Sequence, residues 1–213
     1  MIKAILFDFW GTLVEQGVPG LLRESQRILQ VQLPFSHYVV RLEKAMMTGM
    51  FPDLRSAFVA VAAEFNLDCS EKQIEQLVGL WNKSWMLAVP YEEVEEVLRA
   101  WKGKYTLILI SNTDCFSVEK VLEKYAGGTL FDKMYLSYQQ GILKTDPEFY
   151  PRVLGEMGLQ ASEVVVVGDS MESDIAPAQR AGLAAVLMDR RNRREVEMKI
   201  ENMLQLQGMM EAL

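Results

Sequence analysis

Five short apolar runs separated by helical patterns constrain this chain more than any other feature. The runs are residues 3–7, 106–110, 134–136, 164–167 and 184–188. Short, nearly continuous apolar runs are the mark of strands buried on both faces. Between them, residues 91–101, 116–125, 147–157 and 173–181 carry apolar side chains at helical spacing. In the first of these, Val94, Val97, Leu98 and Trp101 share one face. Strand alternating with helix predicts an α/β fold, a parallel sheet covered by helices on both faces.

Residues 15–89 break the alternation, and no run among them reads as a strand. Helical segments over 21–33, 37–48, 54–65 and 70–86 fit instead, punctuated by Pro34, Gly49-Met50-Phe51-Pro52 and Asn66-Leu67-Asp68. Ser70 with Gln73 three residues later fits a capping box. The chain is therefore expected to divide into an α/β core, residues 1–14 and 90–213, and an all-helical insert, residues 15–89, with Pro90 marking the return. The Met-rich stretch 194–213 reads as a final amphipathic helix whose Met side chains pack.

Composition narrows the function classes. The 213 residues suffice for one sizeable core with a small accessory unit. A net charge of −7 offers no bulk attraction for nucleic acid. The basic run Arg190-Arg191-Asn192-Arg193-Arg194 reads as a solvated loop and helix start, with a patch for a polyanion as the alternative. No apolar stretch approaches the ~20 residues of a membrane span. The first residues read directly as a strand rather than a signal peptide, so a cytoplasmic location is expected. Cys69 and Cys115 make no metal-ligand spacing and are expected to stay reduced. His37, the one His, lies in the helical insert and supports no catalytic triad. Trp81 and Trp85 sit four apart on one helix face, as packing residues do.

The chemistry gathers at strand ends. Asp8 ends the first run and Ser111-Asn112-Thr113-Asp114 the second. Lys144 follows the third across a turn containing Gly141. Gly168-Asp169-Ser170 ends the fourth, with Asp174 five residues beyond Asp169. In an open parallel sheet the carboxyl ends of the strands share one edge, where ligands bind. Asp8, Ser111, Lys144 and Asp169 are thus expected to converge. Carboxylates meeting in a crevice raise one another's pKa, and a hard divalent cation such as magnesium relieves the conflict. Lys144 adds positive charge, and Ser111 with nearby backbone N–H groups can donate to an anionic oxygen.

These motifs carry a specific resemblance. Phe7-Asp8-Phe9-Trp10-Gly11-Thr12-Leu13 resembles the first motif of the haloacid dehalogenase (HAD) superfamily. Ser111-Asn112-Thr113 resembles the second, and Lys144-Thr145-Asp146-Pro147-Glu148-Phe149-Tyr150 the third. Val167-Gly168-Asp169-Ser170-Met171-Glu172-Ser173-Asp174-Ile175 resembles the fourth. The resemblance implies a Rossmann-like core with a C1-type helical cap closing over the site. It implies that Asp8 is a nucleophile forming a covalent aspartyl ester that water hydrolyses. Ser111, with Asn112 and Thr12, would hold the transferred anion, and Lys144 would screen it from Asp8. Asp8, Asp169 and the Trp10 backbone carbonyl would hold magnesium, with Asp174 as a direct or outer ligand. Gly11 would shape the turn leading to the cap.

One position departs from the phosphatase pattern. Phosphatases of this family carry a second Asp two residues after the nucleophile, as proton donor; here it is Trp10. Haloacid dehalogenases resemble the chain at that position, since halide leaves without a proton. They use no metal, however, and they need a cap Arg, for which Arg23 and Arg41 are the candidates. The retained Asp169 and Asp174 weigh more. The expected activity is a magnesium-dependent phosphatase acting on small phosphate esters through an aspartyl-phosphate, restricted to good leaving groups. A 2-haloacid dehalogenase is the alternative, followed by a non-catalytic ligand- or partner-binding protein of this fold and, last, a phospho-acceptor signalling domain. A small-molecule partner, no nucleic acid or membrane, and a monomer or homodimer complete the expectation.

Overall fold

The computed structural model describes residues 1–125 and 127–210. In chain order the elements begin with β1 (Ala4–Phe7) and β2 (Val14–Glu15). Four helices follow: α1 (Leu21–Leu29), α2 (Phe35–Met47), α3 (Leu54–Glu64) and α4 (Glu71–Met86). Then come β3 (Val89–Pro90), α5 (Val94–Trp101), β4 (Thr106–Ser111), α6 (Val118–Lys124), β5 (Lys133–Leu136), α7 (Ser137–Gln140) and α8 (Phe149–Met157). The chain continues with β6 (Val164–Gly168), α9 (Ala176–Arg180), β7 (Ala184–Met188), β8 (Lys199–Ile200) and α10 (Leu206–Met210).

Six strands form one parallel sheet in the order β5-β4-β1-β6-β7-β8. Side chains alternate across a strand, so each apolar run feeds two layers. Ile5, Phe7, Leu107, Leu109, Val165 and Val167 join the layer packed by α5, α6 and α10. Ala4, Leu6, Ile108, Ile110, Val164 and Val166 join the layer packed by α8 and α9. Double-sided burial is why β1, residues 107–110 of β4 and residues 164–167 of β6 are apolar throughout. Each fully buried aliphatic side chain contributes roughly 1.5–3 kcal/mol.

Helices α1–α4 build a third apolar cluster around Tyr38, Leu42, Met46, Phe58, Leu77 and Trp81. Their starts follow the sequence signals. The Asp53 carboxylate accepts from Ser56 N–H at 2.7 Å to cap α3, and Ser70 and Gln73 form the expected capping box on α4. Trp81 is buried, while Trp85 is partly buried against Lys120.

Three features differ from the sequence expectation. First, the stretch read as strand-free ends in strand at both sides: Val14 pairs with Pro90 and Glu15 with Val89 in an antiparallel ribbon. Two residues are too few to show periodicity. Second, residues 194–210 do not form one helix. The chain pairs Lys199–Ile200 with the sheet edge and only then makes a short turn, Met203–Gln205, and α10. The sheet edge offers unpaired backbone groups that a helix would leave unused. The remainder of that expected helix, residues 211–213, lies outside the described residues. Third, the expected helix over 173–181 opens with a π-type turn, Met171–Ile175. No helix among the described residues is long and apolar enough to cross a membrane.

Candidate active site

Strand order assembles the site. β1 lies between β4 and β6, with Phe7 level with Leu109 and Val167. Asp8 follows directly, and its N–H donates to the Val167 carbonyl at 2.9 Å. Connections run one way from β1 to β4 and β5 and the other way through β6, β7 and β8, so β1 borders the crevice where parallel sheets bind ligands. Asp8, Ser111 and Asp169 thereby reach one edge from positions far apart in the sequence.

Lys144 ties the group together. Its side chain is 2% exposed, and its Nζ donates to Asp8 Oδ1 and to Asp174 Oδ1, each at 2.5 Å. Thr12 Oγ1 donates to the other Asp8 oxygen at 3.2 Å. The second Asp174 oxygen accepts from Ser170 N–H at 3.0 Å. That bond needs Asp174 folded back over Gly168 by the π-type turn. A Cβ at Gly168 would overlap the Asp174 carboxyl group. Gly11, at φ +79°, brings the first loop as close to Asp169, whose carboxylate a Cβ there would strike.

One oxygen each from Asp8, Asp169 and Asp174 lie within 4.8 Å of one another. Three carboxylates gather about one ammonium, and two of them, Asp8 and Asp169, are raised, chiefly by burial. Burial pushes Asp8 up to about 6, with Lys144 pulling down and Asp174 pushing up. Burial, then Asp8 and Asp174, pushes Asp169 up to about 8 against Lys144 and Arg194. Burial opposes charge on Lys144, but Asp174 and Asp8 outweigh it and raise its pKa above the ordinary lysine value. The donor set is all hard carboxylate oxygen with unbalanced negative charge, which fits a divalent cation such as magnesium.

The other expected residues fall close by in different arrangements. Ser111 is fully buried at the end of β4. The Asn112 side chain is engaged by the protein: its Oδ1 accepts from Lys144 N–H at 2.9 Å, and its Nδ2 donates to Glu43 at 3.0 Å. Trp10 packs edge-on against Phe9, with ring centroids 4.8 Å apart, beside the sheet's apolar layer. Its indole N–H is a hydrogen-bond donor without acid–base function near neutral pH. His37 is exposed. Arg23 stacks over Phe35, and Arg41 pairs with Glu64 at 2.7 Å, so both are committed within α1–α3.

Three residues at the site had not been singled out. Glu43 comes from α2, one turn before buried Met47. An acid within an apolar helix stripe was the available signal. The basic run is the largely exposed loop expected of it, but no helix starts there, and Arg190 and Arg194 make contacts at the site. Arg190 donates to the Thr12 carbonyl at 2.5 Å, pairs with Glu93 at 2.6 Å and lies over Tyr91. Arg194 donates to the Asp169 carbonyl at 2.6 Å. Both brace the backbone beside the carboxylates, a role that charge patterning does not reveal.

Residues 2–182 match the family model described as haloacid dehalogenase-like hydrolase. D-ribitol-5-phosphate phosphatase of Bacteroides thetaiotaomicron is 29% identical over 79% of this chain and 84% of its own length. Human N-acylneuraminate-9-phosphatase is 26% identical over 90% of this chain and 84% of its own. The crystal structure of 2-haloacid dehalogenase from Pseudomonas syringae superposes with a TM-score of 0.67 at 20% identity. That match covers 100% of this chain and 99% of the other.

Proposed function

The chain belongs to the haloacid dehalogenase-like hydrolases, and from that premise we propose that it is a magnesium-dependent phosphohydrolase acting on small phosphate esters. The observation that carries this reading is the meeting of Asp8, Asp169 and Asp174 within 4.8 Å around a single Lys144. A halide-displacing enzyme has no use for that many carboxylates. Phosphatases among its relatives are in accord.

In this reading Asp8 attacks phosphorus and becomes an aspartyl-phosphate, which water then hydrolyses. Lys144 holds the Asp8 carboxylate in place and offsets the repulsion between it and the incoming anion. Ser111 donates to a phosphoryl oxygen, as do N–H groups of the loop that follows it. Asp8, Asp169 and the Trp10 carbonyl would hold magnesium, with Asp174 supporting, and the ion would supply charge neutralisation as the phosphoryl group transfers. Thr12 orients Asp8. Arg190 and Arg194 hold the two backbone segments that present these groups. Helices α1–α4 act as a cap, joined to the core through the β2–β3 ribbon, and exclude water from the reaction.

Trp10 favours a dehalogenase as the second reading. Against it, Arg23 and Arg41 are spent in contacts of their own. The test follows phosphate release from nitrophenyl phosphate and chloride release from chloropropionate in one preparation, with magnesium and with chelator. Phosphate release that stops in chelator is expected. Chloride release insensitive to chelator would overturn the proposal.

A further inference from the structure

We propose that Glu43, from helix α2 of the cap, is the proton donor that the first loop lacks. The inference rests on the phosphohydrolase reading and adds to it the group that protonates the leaving oxygen.

Trp10 leaves the first loop without an acid, yet a carboxyl group reaches the site from the opposite side. Glu43 Oε2 accepts from Asn112 Nδ2 at 3.0 Å, and Asn112 Oδ1 accepts from Lys144 N–H at 2.9 Å. One amide side chain therefore links Glu43 to the residue whose ammonium grips Asp8. Asn112 also directly follows Ser111, the expected anion donor. Glu43 thus stands where α2 meets the strand ends, on the side away from the sheet. The leaving group of an ester seated on Asp8 and Ser111 must point out of the sheet edge, toward the cap.

The surroundings hold a substantial share of this carboxyl in its protonated form near neutral pH. Burial pushes Glu43 up to about 7; Lys144 and the Asn112 bond pull down, while Asp174 and Asp8 push up. His37 and Lys44 of α2 are exposed to solvent, and several charges on the neighbouring helices are engaged with other partners. Glu24 pairs with Arg27, Arg55 with Glu71 and Glu64 with Arg41, while Arg23 stacks on Phe35. On α7, Tyr138 stays neutral, since burial and Glu119 push its phenol up to about 12. An ionised Glu43 would repel a phosphate dianion, so binding itself favours the protonated form.

The proton balance closes over a cycle. An Asp8 oxygen bonds to phosphorus as the ester P–O bond breaks, and the Glu43 proton passes to the departing oxygen, leaving an alcohol and a Glu43 carboxylate. Water then attacks phosphorus and gives its proton to Glu43. The bond from phosphorus to Asp8 breaks with its electron pair returning to the carboxylate. Ester and water become alcohol and phosphate, and both side chains are restored.

The test compares wild type with Glu43→Gln and Glu43→Asp on aryl phosphates graded from dinitrophenyl through nitrophenyl to phenyl. General acid help is worth about 10²–10⁴-fold where the leaving group is poor. Glu43→Gln is expected to lose about 100-fold or more on phenyl phosphate and under about tenfold on dinitrophenyl phosphate, with Glu43→Asp between. The wild-type rate on phenyl phosphate should fall above about pH 7, a limb that Glu43→Gln lacks. A loss equal across the series, with or without a lowered melting temperature, would assign Glu43 a structural role and overturn the proposal. No loss on phenyl phosphate would also overturn it. Wild type silent on every ester would bring down the phosphohydrolase reading, and this inference with it; activity on dinitrophenyl phosphate keeps the two failures apart.

Discussion

Lys144 is the residue on which the site's electrostatics turn. Its ammonium is desolvated and held by two carboxylates, a pairing that is strong only while complete. Lys144→Ala should destabilise the metal-free protein by about 3 kcal/mol, read from urea unfolding, because it strands buried charge. A loss below about 1 kcal/mol would mean that the carboxyls simply take up protons. Asp8→Asn has the opposite balance. It removes one member of a repelling group and keeps the shape, so the fold should hold while phosphate release falls at least about a thousandfold. Unchanged turnover in that variant would remove Asp8 from the chemistry. Arg190 behaves as a structural brace. Its pair with Glu93 and its bond to the Thr12 carbonyl are largely shielded from water. Arg190→Met should therefore lower stability and disturb the Thr12 segment together.

At the level of elements, the strand ends deliver the chemistry and the four-helix group is locked onto them. Trp81 of α4 donates to buried Asp114 at 2.9 Å, and Asp114 also accepts from Phe116 N–H and Ser117. Trp81→Phe should cost about 1–3 kcal/mol, since it leaves a buried acceptor short of a donor. Unfolding that matches wild type would show the seam to be dispensable. Most of these elements were legible in the sequence. The five apolar runs and the four helices of residues 15–89 declare themselves by period and by caps such as Ser70. The β2–β3 ribbon and β8 did not, because two-residue strands carry no period and exist only through their partners. The π-type turn at Met171–Ile175 was hidden for a related reason. It serves the closure of Asp174 over Gly168, a contact between side chain and backbone that no spacing rule encodes.

At the scale of the whole molecule, charge and folding are linked through pH. Asp8 and Asp169 have ordinary values of 3.8 and are raised to about 6 and about 8 in the folded chain. The folded state thus binds these protons more tightly than the unfolded state. Their contribution is full below about 3.8 and is lost as pH rises through 6 and then 8. Metal-free protein should therefore melt progressively lower between those limits. Magnesium, which in the proposed reading would take the place of the protons, should raise the melting temperature more at about pH 8 than at about pH 5. An equal shift at both would deny the cation a place among the carboxylates. Asp8, Ser111, Lys144 and Asp169 were legible from the sequence because parallel strands share an edge, and Asp174 only through the family resemblance of its motif. Glu43, Arg190 and Arg194 were not, since they reach that edge from a helical insert and a late loop whose docking only the folded chain defines. The proposed activity rests on an aspartyl-phosphate formed at Asp8. It is tested most directly by quenching the protein in acid during turnover of nitrophenyl phosphate with magnesium and mapping bound phosphate by mass spectrometry. Phosphate on the peptide containing Asp8, absent in chelator and in Asp8→Asn, is the predicted result. Sustained turnover with no protein-bound phosphate, or with phosphate on another residue, would contradict the account.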